Sequence, residues 1–145
     1  METIAVIDGM GGGIGAQIIE RLRKENFQGI TIIALGSNAG ATQRMIAAGA
    51  DRGATGENAV RVTVASVDFI LGPIGIVLPN AMMGEITPAI AEAVFNTRAR
   101  KYLLPIAQPH FKIIGLGPMN MNELIGETIS EISRCIKSRG GSTVC

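Results

Sequence analysis

The sequence predicts a single α/β domain in which helices cover both faces of a doubly wound, mainly parallel sheet. Two observations indicate this fold class. Short apolar runs rich in β-branched residues alternate with segments of helical periodicity, and a glycine-rich turn directly follows the first run. The length of 145 residues and the apolar fraction of 47% suit one sizeable core. We expect a domain over residues 1–139 and a flexible tail over residues 140–145.

Hydrophobic periodicity and turn residues predict the individual elements. Continuous apolar runs predict buried strands at 3–7, 30–35, 67–71, 101–106 and 111–116. Apolar positions three or four residues apart predict helices at 14–24, 41–48, 57–65, 86–96 and 120–137. We expect Thr55 and Thr87 to be N-caps, with Pro88 at the first helical position. The stretch 51–56 is predicted as a loop, and the ambiguous run 76–83 as a buried helix.

Composition and charge argue against several classes of function. The net charge is +1 and no basic stripe is present, so we expect no nucleic-acid partner. No apolar run reaches the roughly 18 residues of a membrane span, and the first residues lack the pattern of a signal peptide. The two cysteines are too few for a disulfide framework and have no neighbouring metal ligands. We therefore expect no membrane partner, no metal site and a reduced, cytoplasmic environment.

The strongest functional signal is the glycine-rich turn between the first strand and the first helix. Glycine permits a tight reversal, close approach of the backbone to a diphosphate, and close packing of helix on strand. The free amides and the dipole at the helix N-terminus favour a phosphate group. A tight turn without a ligand is the alternative. We predict cofactor contacts along the whole turn, at Asp8, Gly9, Met10, Gly11, Gly12, Gly13, Ile14 and Gly15.

The turn resembles two dinucleotide-binding patterns. Gly9, Gly13 and Gly15 match the G-x-x-x-G-x-G spacing of short-chain dehydrogenases. Gly11, Gly13 and Ala16 match the G-x-G-x-x-A form of the broader Rossmann fingerprint. This resemblance covers roughly the first 40 residues and implies NAD or NADP as the cofactor.

The end of the second strand departs from the usual NAD pattern. In dinucleotide-binding folds an Asp or Glu there binds the hydroxyls of the adenosine ribose. Here the strand ends in Gly36, Ser37 and Asn38, and Arg44 follows only some residues later. Ser37 and Asn38 have polar atoms suited to a ribose or a 2′-phosphate, although capping the next helix is an equally good interpretation. NAD, NADP and a different nucleotide all remain open.

Other polar or glycine-containing loops are further candidates. Ligands of open parallel sheets bind outside the carboxyl ends of the strands, so Gly72, Pro73 and Ile74 are predicted cofactor contacts, with a plain strand-ending turn as the alternative. Asp8 is interpreted as a residue that orders the glycine turn. Glu85 is interpreted as a carboxylate in or before the first turn of the next helix, where the dipole favours it.

No catalytic residue is assigned from the sequence. The catalytic Tyr-x-x-x-Lys of short-chain dehydrogenases is missing, because Ile106 stands four residues after Tyr102. His110, the single histidine, is expected in a loop or at a strand edge. An active short-chain dehydrogenase is therefore not expected.

Over nearly its whole length the chain resembles a small, functionally uncharacterised family of bacterial Rossmann-like proteins. The segments that carry this resemblance are the glycine run after 7–9, the stretches 54–58, 72–75 and 84–88, and the closing helix. The resemblance implies a Rossmann-like nucleotide-binding domain and brings no established activity with it.

Three functions are compatible with these features. The first is a nucleotide-binding sensor or regulatory module, which the glycine turn and the missing catalytic signatures favour. The second is a small oxidoreductase whose site is completed at the interface of a homo-oligomer. The third is a structural or interaction protein that retains a vestigial Rossmann turn.

Overall fold

The computed structural model describes residues 1–106 and 110–138, and within them five parallel strands form one sheet. The strands are β1 (Glu2–Asp8), β2 (Ile30–Gly36), β3 (Arg52–Thr55), β4 (Phe69–Pro73) and β5 (Arg100–Leu104), and their order in the sheet is β3-β2-β1-β4-β5. The helices are α1 (Gly13–Lys24), α2 (Ala39–Ala47), α3 (Glu57–Val64), α4 (Pro88–Asn96) and α5 (Met121–Ser138). This order confirms the predicted doubly wound α/β fold.

Two apolar cores, one on each face of the sheet, hold these layers together. Along β1, Ile4 and Val6 pack against the helices α1 and α5, whereas Ala5 and Ile7 pack against α3 and α4. All four side chains are buried, as expected for a central parallel strand covered on both faces. Fully burying one large aliphatic side chain contributes about 1.5–3 kcal/mol, so the buried side chains of β1 stabilise the sheet on both faces.

The order of the strands places a crevice next to β1. The chain builds outward from β1 through β2 to β3, and then returns to the other side of β1 with β4 and β5. Ligands of open parallel sheets bind where the strand order reverses in this way, outside the carboxyl ends of the strands. The glycine turn follows β1 and therefore lies at this crevice.

Residues 51–56 are not the loop predicted from the sequence. Arg52 to Thr55 form the edge strand β3, paired with β2. This strand is short and largely exposed, so it lacks the apolar run by which a buried strand is recognised. Thr55 ends β3 and is not an N-cap; Gly56 takes that position in α3. Thr87, in contrast, caps α4 as predicted, because its side chain accepts a hydrogen bond from the amide of Ile90.

Two further predicted elements are also wrong. The expected helix at 76–83 is a 3-10 turn, Ile74–Val77, followed by irregular turns. A helix cannot continue there because Asn80, Met82 and Met83 all have positive φ. The expected strand at 111–116 does not form: Phe111 makes an isolated bridge, residues 112–116 are turn or irregular, and the Ile114 side chain is 87% exposed. The strand predicted at 101–106 ends at Leu104.

Some expectations about the C-terminal part lie at the limit of the described residues. Cys135 in α5 is buried. Cys145 and the predicted tail at 140–145 lie outside the described residues. No helix in the described part of the chain is long and apolar enough to cross a membrane. The cytoplasmic location stays a prediction.

The carboxylate of Asp51 attaches the start of β3 to its neighbours. Its Oδ2 atom accepts a hydrogen bond from the amide of Ile32 at 2.7 Å and pairs with Nη2 of Arg23 at 2.9 Å. The hydrogen bond from Ile32, followed by the interaction with Arg23, lowers the pKa of Asp51 below its ordinary value of 3.8.

We expect Asp51→Asn to lower the free energy of unfolding by about 1 kcal/mol at neutral pH, because one charge-assisted hydrogen bond and a partly exposed ion pair are lost. A carboxyl with a lowered pKa stabilises the fold above its ordinary pKa and loses this effect as the pH falls through its folded pKa. Urea denaturation across acidic pH should therefore show the difference from wild type disappearing. Glu20→Gln, on the exposed face of α1, is the control, and a pH-independent difference would contradict the prediction.

Candidate functional site

The glycine turn forms one side of a cavity at the crevice. This cavity has a volume of about 320 Å³ and lies at the carboxyl ends of β1 and β4. Seven residues of the turn line it, together with side chains from α1 and from three other segments. These lining residues are Asp8, Gly9, Met10, Gly11, Gly12, Gly13, Ile14, Gln17, Pro73, Met82 and Ile106.

Gly9 packs closely against the side chains of Ser37 and Met82, and two further glycines of the turn are required by the fold itself. Gly12 has a φ of 73°, and a Cβ atom there would lie 2.8 Å from the backbone of Ala41. A Cβ atom on Gly15 would overlap Met45 and lie 3.0 Å from Cβ of Asp8, so Gly15 permits α1 to pack closely on the sheet. These two positions account for the tight turn and the close packing that the sequence predicted.

Gly11 and Gly13 are not required in this way. Neither has a positive φ, and the nearest atom to a Cβ on either is Nη1 of Arg44, at 3.8 Å from Gly11 and 3.3 Å from Gly13. A flexible arginine tip can move to make room. Packing and backbone geometry within the described residues therefore leave these two glycines unexplained, whereas close approach of a ligand to the backbone would explain them.

The same two residues have unused amide groups. The amides of Gly9 and Gly15 donate to Asp8, the amide of Gly12 donates to the carbonyl of Gly9, and the amide of Met10 donates to Glu85. The amides of Gly11 and Gly13 donate to no residue that the structure describes. They lie at the N-terminus of α1, where such donors and the helix dipole favour an anion.

Asp8 orders the turn, as one interpretation of the sequence predicted. Its side chain is 4% exposed, with Oδ1 accepting from the Gly9 amide and Oδ2 from the Gly15 amide, both at 2.8 Å. Burial raises the pKa of this carboxyl, and the negative charge of Glu85 adds to the effect. The hydrogen bonds from Gly15 and Gly9 oppose the rise and stabilise the ionised form.

Arg44 contributes a positive charge that the sequence did not place at the turn. The side chain extends from the exposed face of α2, and its Nη1 atom lies 3.5 Å from the carbonyl oxygen of Gly11. The same guanidinium group borders Gly13. A cation therefore stands beside the two unused amides, a combination suited to a phosphate.

Glu85 contacts the glycine turn near its start, at Met10, and its role differs from the one that the sequence predicted. Its carboxylate does not face the first turn of α4 but crosses to the ends of β1 and β2. Its Oε1 atom accepts from Oγ of Ser37 and Nδ2 of Asn38, each at 2.7 Å, and from the amide of Met10 at 3.1 Å. Burial acts to raise the pKa of Glu85, but these hydrogen bonds outweigh it and hold the pKa below the usual value.

Asn38 caps the next helix, which is one of the two roles that the sequence left open for it, while its contact with a ribose or phosphate stays a prediction. Its Oδ1 atom caps α2 by accepting from the amide of Ala41 at 2.9 Å. Its Nδ2 atom donates to Glu85 and also to the carbonyl of Met10, at 2.8 Å. The cap of α2, the glycine turn and Glu85 therefore form one connected polar network.

Of the remaining residues predicted to contact a cofactor, some are explained by packing of the fold and one lines the cavity. Gly36 and Gly72 are small because a side chain would overlap Thr42 in one case and the carbonyl of Ile7 in the other. Pro73 lines the cavity, but Ile74 begins the 3-10 turn and is not part of the lining. His110 borders a separate cavity of about 550 Å³, together with Phe111 and residues 78–83.

The strand order and the glycine turn at the crevice define a Rossmann-like α/β protein. Residues 3–137 match the model of a family described as a domain of unknown function, DUF3842, and the chain belongs to this family. This agrees with the resemblance to an uncharacterised family noted in the sequence, whose bacterial origin stays a prediction. Among curated proteins, none matches the sequence.

Two solved structures align with this chain. Apo saccharopine dehydrogenase (L-Glu forming) from Saccharomyces cerevisiae aligns with a TM-score of 0.50 and 13% identity over 75% of this chain and 23% of that chain. A dodecameric FMN-dependent UbiX-like decarboxylase from Escherichia coli O157:H7 aligns with a TM-score of 0.48 and 17% identity over 92% and 76% of the two chains. The present chain thus spans less than a quarter of the dehydrogenase, and that likeness concerns the fold alone.

Substitution by alanine should affect stability strongly at a glycine that the fold requires and weakly at one that it does not. Gly12→Ala should lower the free energy of unfolding by about 2 kcal/mol or more, because alanine is strained at this φ and would overlap Ala41. Gly11→Ala should leave it within about 1 kcal/mol of wild type. Paired urea denaturation curves measure both values. Equal destabilisation by the two variants would show that Gly11 is also a requirement of the fold.

Proposed function

We propose that this protein binds a nucleotide cofactor, NAD or NADP, through its glycine turn and acts as a sensor or regulatory module without chemistry of its own. One observation carries the proposal. Gly11 and Gly13, whose amides are unused among the described residues, line a 320 Å³ cavity, and the guanidinium of Arg44, which is not itself part of that lining, lies next to both glycines.

The donors at this wall suit a diphosphate. The amides of Gly11 and Gly13 are separated by one residue, and both have no protein acceptor among the described residues. A hydrogen bond to a charged group contributes about 1.5–3 kcal/mol, and the dipole of α1 adds about 0.3–1 kcal/mol near its N-terminus. Arg44 can bind phosphate oxygens with two parallel donors. Together these groups compensate for removing phosphate oxygens from water.

The other walls suit a flat, weakly polar ring. Ile14, Pro73, Met82 and Ile106 give the cavity an apolar part of its lining. Its volume is at the lower end of the range for small-molecule sites, enough for one ring system rather than a complete dinucleotide. A dinucleotide would therefore place one ring in the cavity and extend past the turn with its adenosine half.

The lining favours a sensor over an enzyme. Among the described residues that form the cavity, Asp8 is the one titratable side chain, and both its carboxylate oxygens already accept backbone amides. Gln17 is an uncharged amide on the exposed face of α1. General acid or base catalysis requires a group that can exchange a proton with the substrate, and Asp8 is occupied in holding the turn.

Thermal unfolding in the presence of NAD, NADP, FMN and ATP tests the proposal. NAD or NADP at 100 times its dissociation constant should raise the free energy of unfolding by about 2.7 kcal/mol, with smaller effects from the other two. Gly13→Asp should abolish the stabilisation, because its carboxylate would face the phosphates, while the added Cβ displaces only the tip of Arg44.

Gly117→Asp is the matched control, since nothing lies within 4 Å of a Cβ atom at that residue. It should respond to the cofactor as wild type does. The proposal is wrong if no nucleotide stabilises the wild type, or if Gly13→Asp is stabilised as strongly as the control.

Exposed apolar side chains beside the site favour a second candidate, an oxidoreductase completed at a subunit interface. Met10 is 49% exposed, Met83 is 91% exposed and Phe111 is 44% exposed. Burying such side chains against a second copy would cover Met10 at the turn and the separate cavity that Met83 and Phe111 line. The exposed Met83 is the clearest point at which to disturb that contact.

We expect light scattering to separate the two candidates. A homodimer that Met83→Asp converts to monomers, together with turnover of bound NAD(P)H by the dimer alone, would favour the oxidoreductase. A protein that binds the cofactor equally well as a monomer, and never changes its redox state, would favour the sensor.

A further inference from the structure

Tertiary packing brings the carboxylate of Glu85 to the end of β2, where the sequence itself has no acid. No acid ends β2, yet Glu85 from a distant part of the chain reaches the side chains of Ser37 and Asn38 directly after that strand. Each contact measures 2.7 Å to the same oxygen, Oε1. In dinucleotide-binding folds this position is beside the adenosine ribose.

Only one of the two carboxylate oxygens of Glu85 is occupied. Oε1 accepts three hydrogen bonds, from Ser37, Asn38 and the Met10 amide, whereas Oε2 accepts none from the residues that the structure describes. Glu85 is half-buried, so its position is held while one oxygen remains accessible. A held carboxylate with a free oxygen is a preorganised acceptor for the hydroxyl groups of a ligand.

The segment that delivers Glu85 has an unusual backbone. Asn80, Met82 and Met83 all have positive φ, a conformation that is unfavourable for residues other than glycine. The amide of Asn80 donates to the carbonyl of Ile86 at 2.7 Å, which closes the segment directly next to Glu85. The side chain of Ile86 is fully buried and anchors it to the core. Strain of this kind persists where the surrounding structure requires a particular placement.

We propose that Glu85 is the ribose-recognition residue of this protein and that it selects NAD over NADP. This inference rests on the proposed function. Oε2 of Glu85 accepts the 2′- and 3′-hydroxyl groups of the adenosine ribose, while the negative charge repels a 2′-phosphate at the same place. Glu85 thereby takes over the role of the acid that ordinarily ends β2.

Arg44 does not offset this selection. An arginine near the end of β2 would accommodate a 2′-phosphate. The guanidinium of Arg44 instead lies against Gly11 and Gly13, where the diphosphate is expected, and it donates toward the carbonyl of Gly11. The two charged groups therefore serve different parts of the ligand, with Arg44 at the phosphates and Glu85 at the ribose.

Calorimetric titration with NAD and NADP measures the selection. We expect wild type to bind NAD more tightly than NADP by at least about tenfold, the effect of one charge-assisted hydrogen bond. Glu85→Gln retains the shape and one acceptor oxygen but removes the charge, and should reduce the ratio of affinities about tenfold. Ser37→Ala, which removes one donor that holds the carboxylate, should reduce the ratio by a smaller factor.

Glu57→Gln is the control for a change of charge alone. Glu57 is an exposed glutamate that accepts a hydrogen bond from the hydroxyl of Thr87, and its substitution should leave the ratio unchanged. The ratio of the two affinities is the decisive readout, because damage to the fold would weaken the binding of NAD and of NADP by the same factor.

The outcomes separate this inference from the proposed function. If wild type binds neither NAD nor NADP, the proposed function fails and the inference fails with it. If wild type binds both equally, or if Glu85→Gln weakens or strengthens both by the same factor, the inference alone is overturned. If the ratio falls in Glu85→Gln and not in Glu57→Gln, both are supported.

Discussion

The rest of the site depends on one carboxylate, that of Asp8, which links the last residue of β1 to the first turn of α1. By accepting the amides of Gly9 and Gly15 it closes the turn at both ends. The amides between them at Gly11 and Gly13 then remain free to face the cavity. Burial makes this charge unfavourable and raises the pKa of Asp8, so the two hydrogen bonds are needed to keep it in place.

Much of the fold was predictable because its signals are local. The buried strands β1, β2 and β4 are continuous apolar runs. The start of α4 is marked by two adjacent residues, the N-cap Thr87 and Pro88 at the first helical position. The edge strand β3 was missed because an exposed strand has no hydrophobic requirement and is defined by pairing with β2. The prediction of a helix at 76–83 is wrong because it rested on apolar side chains alone. Asn80 and its neighbours have positive φ, which a right-handed helix does not allow.

The same distinction separates the predicted part of the site from the part that was missed. The glycine turn is contiguous in sequence, so its residues and its likeness to a dinucleotide fingerprint were visible at once. Arg44 and Glu85 reach the turn through tertiary packing, from α2 and from the segment before α4. The available signal for Glu85 was an acid in an otherwise apolar stretch, because a polar group in such surroundings needs a partner.

The position of Glu85 has a mechanical consequence. Its carboxylate contacts the turn on one side, while the next residue, Ile86, is buried in the core beneath α3 and α4. A force applied to the carboxylate passes through a single peptide unit into that core. The segment 78–86 therefore connects the carboxyl edge of the sheet directly to the helices of one face.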